Sequence, residues 1–201
     1  MTLKVDIRKL SFINKMATVG TNGVAENMGK LTGKDAEMKV TQTNFIHVND
    51  LKAELDGGKR VGVRVRLLDP PSGHILILFP ESSAKKITAL MLQDVVDDMD
   101  NVSGKMARSA VEEMGTMMAS GFIDGWADTL GRAIDIAAPQ LVYAPVEEIV
   151  VRTAGLGGDD FALFFDSDLN VPSYEIDAEI YAFPDLQEFV EMINGIEVKP
   201  A

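Results

Sequence analysis

The chain has 201 residues, of which 31 are acidic and 19 basic, so its formal net charge at pH 7 is −12. This balance argues against binding to nucleic acid, because no excess of basic side chains is available to replace phosphate counterions. Hydrophobic residues make up 46% of the chain, which suffices for a buried core and argues against a disordered acidic protein. We therefore expect a folded acidic protein in which residues 1–201 form one domain.

The chain contains no cysteine and only two histidines, His47 and His74. Disulfides, thiolate metal sites and thiol nucleophiles are therefore excluded, and a histidine metal site is not expected. Both histidines lie in or beside predicted strands, where a structural role is favoured over a catalytic one. Because the sequence has neither a signal-peptide pattern nor a membrane-spanning run, we expect a cytoplasmic protein with no membrane insertion, metal or cofactor.

The first predicted element is a long helix that includes residues 15–33. Its apolar or small residues recur every third or fourth position, which is the pattern of a helix with one buried face; they are Ile13, Met16, Gly20, Val24 and Met28. A second row on the same helix is polar; it consists of Lys15, Thr18, Asn22 and Glu26.

Alternating apolar and polar residues predict strands after this helix, with one short helix among them. In chain order these elements are a strand at residues 38–48, a helix at 50–56 and strands at 60–68 and 74–79. The Pro80-Glu81 pair then begins a helix that is predicted to extend to about residue 99. Residues 97–104 form a polar joint between the two halves of the chain.

The second half of the chain repeats this order. It begins with a long helix that includes residues 113–131, in which Gly121 and Gly125 indicate close packing against another element. The elements that follow are a strand at 134–143, a short helix from Pro145 to near Gly155, a hairpin of strands at 161–165 and 174–183, and a last helix from Pro184-Asp185 to about 193.

A shift of 98 residues places Glu113 over Lys15 and aligns the two long helices. Four aligned positions are identical, where composition predicts roughly one: Met16/Met114, Thr18/Thr116, Gly23/Gly121 and Gly33/Gly131. The second polar row is Glu113, Thr116, Ser120 and Asp124. We predict an α+β fold in which two αβαββα units, approximately residues 1–100 and 104–201, are related by a pseudo-twofold axis. The units share an antiparallel-rich sheet covered by the long helices.

Two other segments resemble ligand-binding motifs only in part. Residues 166–170 read like the start of a calcium loop, but Val171 stands where that loop requires glycine and Pro172 follows. We interpret them as an Asx-rich hairpin connection. The glycine-rich residues 155–158 follow a helix and precede a strand, the reverse of the order in a phosphate-binding loop, so we interpret them as a turn.

The duplicated helix resembles that of the CheC family of chemotaxis phosphatases, whose members carry two copies reading roughly Glu-x-Gly-Asn-x. Residues 109–118 resemble the second copy and residues 13–20 the first. Leu31-Thr32-Gly33 and Leu130-Gly131 resemble the helix ends. The resemblance extends over nearly the whole chain, including residues 73–80, and indicates a divergent, archaeal-like member of the CheC, CheX and FliY type.

In that family the helix docks on a phosphorylated CheY-type receiver; its glutamate pairs with a receiver lysine and its asparagine orients the attacking water. The resemblance assigns the docking role to Glu113 and the asparagine's place to Thr116, with Ser120 in the same row. In the first copy Lys15 and Thr18 occupy these places, and Lys15 meets the receiver lysine with like charge. A threonine has a shorter reach and fewer hydrogen-bonding groups than an asparagine. We therefore expect the first site to be inactive and the second to be weakened or repurposed.

Two functions remain open. In the first, the chain binds a CheY-like response regulator, a CheD-type receptor deamidase or both, and the loss of both asparagines favours this hypothesis. In the second, it is a slow phosphatase that hydrolyses the aspartyl-phosphate of a CheY-like response regulator through Glu113 and Thr116. A third hypothesis is that the chain is a generic oligomeric α/β protein with no role in signalling. Homodimerisation stays open. The dispersed acid excess is compatible with the salt-rich cytoplasm of a halophile, where charges are strongly screened.

Overall fold

Five α-helices and a six-stranded sheet form the part of the chain that the computed structural model describes, residues 10–33, 35–47, 50, 58–95, 102–154 and 161–195. The helices are α1 (Leu10–Thr32), α2 (Glu81–Leu92), α3 (Gly104–Leu130), α4 (Val146–Ala154) and α5 (Leu186–Gly195). The strands are β1 (Glu37–His47), β2 (Lys59–Leu67), β3 (Gly73–Phe79), β4 (Gln140–Pro145), β5 (Phe161–Val171) and β6 (Ile176–Pro184). None of the described helices is long and apolar enough to cross a membrane.

The strand order in the sheet is β1-β5-β6-β3-β2-β4, and every neighbouring pair is antiparallel. When β1 is exchanged with β4, β2 with β5 and β3 with β6, the same order results, read from the opposite edge of the sheet. The exchanged strands occupy the same places after α1 and α3 in the two halves of the chain. The antiparallel sheet and its helices confirm the predicted α+β class.

The apolar rows of the two long helices are buried in the core, as their spacing predicts. Trp126 of α3 is fully buried, and its ring centroid lies 5.3 Å from that of Phe122 and 5.4 Å from that of Phe165. Helix α4 packs against the opposite side of the sheet, where Val150 joins a second apolar cluster with Leu76. Within the described residues, the sheet therefore lies between a main helical layer and the short helix α4.

The helices α1 and α3 meet at a pair of glycines that the 98-residue shift aligns. A Cβ added to Gly23 would lie 2.0 Å from the carbonyl oxygen of Gly121, and one added to Gly121 would lie 2.7 Å from the carbonyl oxygen of Gly23. At Gly125 an added Cβ would lie 2.6 Å from the carbonyl oxygen of Val19. Only glycine permits such a backbone approach, so the close packing predicted from Gly121 and Gly125 is confirmed.

The strand predicted at residues 134–143 is shorter than expected, because β4 begins at Gln140. Before it, Ile136 forms only an isolated bridge with Leu67. Pro139 lies between this bridge and β4 and has no N–H to donate to a neighbouring strand, which explains the late start of the strand.

The prediction of a hairpin connection at residues 166–170 is wrong, because these residues belong to β5. Ser167 and Leu169 are buried and alternate with exposed Asp168 and Asn170, so the Asx-rich pattern is the two-residue period of a strand. The connection to β6 is instead a 3₁₀ turn at Pro172–Tyr174.

The helix predicted to extend to about residue 99 ends at Leu92 and is followed by a turn through residue 95. Asp94 lies in this turn, and a carboxylate near a helix C-terminus is unfavourable because it faces the negative end of the helix dipole. Three predicted segments lie wholly or partly outside the described residues. Part of the joint at 97–104 lies outside them, as do nearly all of the helix at 50–56 and the whole glycine turn at 155–158.

Candidate functional site

Helix α3 carries the second polar row, and its ends are fixed by local capping. The Ser103 Oγ accepts a hydrogen bond of 3.3 Å from the Met106 N–H at the first turn. At the other end Gly131 adopts a left-handed conformation with φ 63°, and its N–H returns to the carbonyls of the last turn. These caps bound a helix of 27 residues that presents its row on one side.

Three of the five sequence-predicted site residues, Glu113, Thr116 and Ser120, line a single groove of about 510 Å³. The groove lies between α3 and the C-terminal part of α1. The other side chains that line it are Met117 on α3 and Asn27, Lys30 and Leu31 on α1. The structure therefore brings the predicted second site together and adds residues of the other long helix to it.

Glu113 is exposed and, among the described residues, makes no hydrogen bond or ion pair. Its neighbour Glu112 is only 25% exposed and forms an ion pair of 3.2 Å with Arg108. The two adjacent carboxylates therefore differ in their pairing. Glu112 is already paired within α3, whereas Glu113 is available to an external cation.

Thr116 is half-buried, and its hydroxyl donates a hydrogen bond of 2.8 Å to the carbonyl oxygen of Glu112. This bond to the preceding turn uses the only proton of the hydroxyl group. In this conformation Thr116 therefore presents lone pairs, and no donor, to the groove.

The two predicted residues of the first site lie elsewhere. Lys15 and Thr18 are exposed on α1, and neither lines the groove. The Thr18 hydroxyl donates a hydrogen bond of 3.0 Å to the carbonyl oxygen of Asn14, just as the Thr116 hydroxyl bonds to the preceding turn of its helix. The structure thus places the two polar rows on separate surfaces.

Asn27 and Lys30 are groove residues that the sequence did not identify. The Asn27 Nδ2 donates a hydrogen bond of 3.3 Å to the carbonyl oxygen of Met117. The Lys30 Nζ lies 2.7 Å from a Glu26 carboxylate oxygen, and this hydrogen bond and charge hold the pKa of Glu26 below its ordinary value. Asn27 lies one turn after Gly23, on the side of α1 that contacts α3, so its spacing from that glycine is the signal that could have found it.

A second groove of about 390 Å³ lies on the other side of Glu113. It is bordered by the end of α2 and the first turns of α3; the residues that line it with Glu113 are Met91, Leu92, Lys105, Met106, Ser109 and Ala110. Glu113 therefore stands between two grooves, and a partner that covers either one lies beside its carboxylate.

The histidines are not part of this surface. His74 lies on β3 opposite Arg66 of β2, and burial, with the charges of Arg64 and Arg66, lowers its pKa. His47 lies in β1. Within the described residues, no three side chains of the types His, Cys, Asp and Glu are grouped so that they could hold a metal ion.

Two solved structures share the arrangement of helices and sheet that is found in this chain. The chain is similar to FliY of Thermotoga maritima with a TM-score of 0.68 and 14% identity, over 94% of this chain and 96% of that chain. It is also similar to a chain of the CheX-CheY-BeF3-Mg+2 complex from Borrelia burgdorferi with a TM-score of 0.57 and 16% identity, over 84% of this chain and 97% of that one. The chain thus has the fold of the FliY and CheX structures.

Comparison of the sequence with known families and proteins identifies the family of the chain. The model of the CheC-like family matches residues 106–143, which include Glu113, Thr116 and Ser120. A relative from Halobacterium salinarum, named "Putative CheY-P phosphatase CheC1", is 43% identical over 196 residues, which are 98% of this chain and 100% of the relative. The chain belongs to the CheC-like family, as its duplicated helix motif predicts.

Proposed function

We propose that this chain is a chemotaxis signalling protein that binds a CheY-like response regulator in the cytoplasm through the exposed side of α3. The observation that carries the proposal is the unpaired, exposed carboxylate of Glu113 between two grooves. The name of the Halobacterium relative refers to phosphorylated CheY, and the Borrelia structure is a complex of CheX with CheY. Both support a CheY-like partner for this chain.

Electrostatics favours Glu113 over the adjacent Glu112 as the docking residue. A carboxylate that has no internal partner loses no ion pair when it meets a cation of another protein. A charge-assisted hydrogen bond at the centre of an interface also fixes the orientation of the two partners. Glu112 would have to give up Arg108 to do the same.

The experiment measures the affinity of the full chain for a CheY-type receiver phosphorylated with acetyl phosphate. We expect Glu113→Gln to weaken binding roughly 30-fold, because removal of one member of a desolvated interface ion pair costs about 2 kcal/mol or more. The matched control is Glu112→Gln, the adjacent and internally paired carboxylate, which is expected to retain the wild-type affinity. Equal losses in the two variants, or no binding by the wild type, would contradict the proposal.

Hydrolysis of the receiver's aspartyl-phosphate is the second candidate function, favoured by the phosphatase named in the Halobacterium relative and by the polar side chains of Asn27, Thr116 and Ser120 among those that line the groove. It requires that phosphate loss from the receiver accelerates with the wild type and returns to the spontaneous rate with Glu113→Ala. An equal loss in Thr116→Ala would assign the Thr116 hydroxyl the role that the family resemblance suggests. Unchanged decay together with tight binding would assign an adaptor role instead.

A CheD-type deamidase and a second copy of this chain are the other partners that the family resemblance suggests. Binding of a CheD-type protein is tested in the same assay without the receiver. Self-association is tested by sedimentation of the isolated chain. Both remain predictions that are independent of the role of Glu113 on α3.

A further inference from the structure

Hydrolysis of an acyl phosphate in the groove needs a group that holds a water molecule in line with the bond to be broken. A carboxamide suits this task, because its oxygen accepts a proton of the water while its N–H groups donate to phosphoryl oxygens. Thr116 does not supply these groups, since its proton is bonded to the carbonyl oxygen of Glu112. Another residue must provide the amide.

Asn27 provides a carboxamide in the same groove from the opposite helix. Its hydrogen bond to the carbonyl oxygen of Met117 joins residues 90 positions apart in the chain and holds the amide beside α3, next to Thr116 in sequence. Among the described residues this is the only hydrogen bond of the amide, so its Oδ1 and second N–H remain unbonded. The amide is fixed at one point and keeps an acceptor and a donor available.

Gly121 makes room for this amide. A Cβ added to Gly121 would lie 2.7 Å from the Asn27 Nδ2, so any other residue there would displace the amide from α3. The contact of Gly23 with Gly121 brings the helices close enough for Asn27, one turn further along α1, to reach across. The glycine pair therefore sets the position of the amide as well as the helix packing.

The equivalent amide is missing on the other side of the pseudo-twofold axis. The 98-residue shift places Gly125 of α3 over Asn27 of α1. Among the described residues, the surface around Lys15 and Thr18 thus has a lysine at the docking position and a glycine at the position equivalent to the amide. The groove beside Thr116 has a carboxylate and an amide at these positions.

We propose that Asn27 is a catalytic residue that orients the attacking water when this chain hydrolyses a receiver aspartyl-phosphate, in place of an asparagine at position 116. The inference rests on the proposed binding of the phosphorylated receiver at Glu113. The water oxygen forms a bond to phosphorus while the bond from phosphorus to the aspartate oxygen breaks. The receiver regains its carboxylate, the water protons pass to the phosphate and the solvent, and inorganic phosphate leaves.

The experiment follows phosphate release from a CheY-type receiver phosphorylated with acetyl phosphate, at several receiver concentrations. We expect Asn27→Ala to lower kcat about 10²-fold, the size of loss that follows from a misplaced reactant or a missing preorganised donor. KM is expected to stay near its wild-type value, because Glu113 still docks the receiver. The matched control is Asn22→Ala, which removes an exposed asparagine of the same helix outside the groove and is expected to leave both constants unchanged.

A rescue variant separates catalysis from helix packing, because Asn27→Ala also removes a hydrogen bond between α1 and α3. Introducing Thr116→Asn into the Asn27→Ala protein returns an amide to the groove and is expected to restore most of kcat. In the wild-type background the same substitution is expected to have a much smaller effect. Loss of activity that parallels loss of thermal stability, without rescue, would assign Asn27 a structural role and overturn the inference.

The remaining outcomes distinguish this inference from the proposed function. A wild-type kcat in Asn27→Ala would overturn the role of Asn27 and leave receiver binding intact. Receiver binding by the wild type without faster phosphate release would also overturn it. Absence of receiver binding by the wild type would instead contradict the proposed function itself.

Discussion

Neighbouring polar side chains on α3 differ because each is either paired within the protein or left for a partner. Glu112 is bound to Arg108, and the Thr116 hydroxyl is bound to the carbonyl oxygen of Glu112. Glu113 has no such partner among the described residues. Sequence identifies all of these as polar positions, but only their contacts show that Glu112 is paired and that the Glu113 carboxylate is unpaired among the described residues.

The pKa of His74 leads to a prediction at the residue scale. Burial and the charges of Arg64 and Arg66 lower this pKa in the folded protein, so the unfolded chain binds the proton more tightly. The free energy of unfolding should therefore fall as the pH decreases below about 6.5, the ordinary histidine value. We expect a smaller decrease in His74→Gln when urea unfolding is measured between pH 7.5 and 5.5.

The control for this measurement is His47→Gln, which retains His74 and should therefore keep the decrease that His74 causes. If His74→Gln and the wild type lost equal stability over the same pH interval, the structural role assigned to His74 would be wrong.

At the scale of elements, the pair of α1 and α3 is the unit on which the site depends. The buried rows hold both helices against the sheet, and the glycine contact sets the distance between them. This distance determines whether Asn27 reaches the carbonyl oxygen of Met117 and how wide the groove is. The packing of two elements thus fixes the geometry of a site that neither helix forms alone.

Substitution of Gly23 tests this dependence. A methyl group at position 23 would overlap the carbonyl oxygen of Gly121, so α1 and α3 would have to separate. We expect Gly23→Ala to lower the free energy of unfolding by about 3 kcal/mol, at the upper end for an overpacked contact, and to weaken receiver binding. Urea unfolding and the receiver-binding assay measure the two effects.

Gly104→Ala is the matched control, because an added Cβ at the first residue of α3 meets no atom within 4 Å. It is expected to leave the stability unchanged or to raise it slightly through the higher helix propensity of alanine. A Gly23→Ala protein as stable as Gly104→Ala would show that the helices are not in backbone contact.

For the whole molecule, the strand order and the helix pair have the same apparent twofold relation. Exchange of the two halves preserves the order of all six strands, and the glycines in contact are those that the 98-residue shift aligns. We infer that residues 1–201 form one domain whose halves, approximately 1–100 and 104–201, arose by duplication. The later loss of a glutamate and an amide on one side would have left one of the two equivalent sites without these groups.

The net charge of −12 predicts a salt-dependent stability. Repulsion among dispersed acids opposes folding, and the screening length falls from about 10 Å at 0.1 M salt to about 3 Å at 1 M. We expect the midpoint of thermal unfolding to rise with KCl over this range. A constant or falling midpoint would contradict the interpretation of the acid excess as an adaptation to salt.

Neutralising exposed acids provides the control for the salt effect. Asp94 and Asp128 are exposed and lie just after α2 and near the end of α3, where the helix dipole disfavours negative charge. The double variant Asp94→Asn and Asp128→Asn is expected to be more stable than the wild type at 0.1 M KCl and to gain less from added salt.

The sequence by itself predicted most of the described elements, the buried rows of both long helices and the family, because periodicity and motif spacing are local properties. The roles that the family resemblance suggests for Glu113 and Thr116 stay predictions. The predicted start of β4 was too early, because Pro139 lacks the N–H needed for pairing with a neighbouring strand. Residues 166–170 were predicted as a connection because of their polar side chains, although their two-residue period is that of a strand. Only the tertiary structure decided the strand order, the glycine contact and the place of Asn27 in the groove. Each of these depends on contacts between residues far apart in the chain, such as the 90 positions that separate Asn27 from Met117. A local pattern such as the glycine spacing indicates a close approach but does not identify the partner.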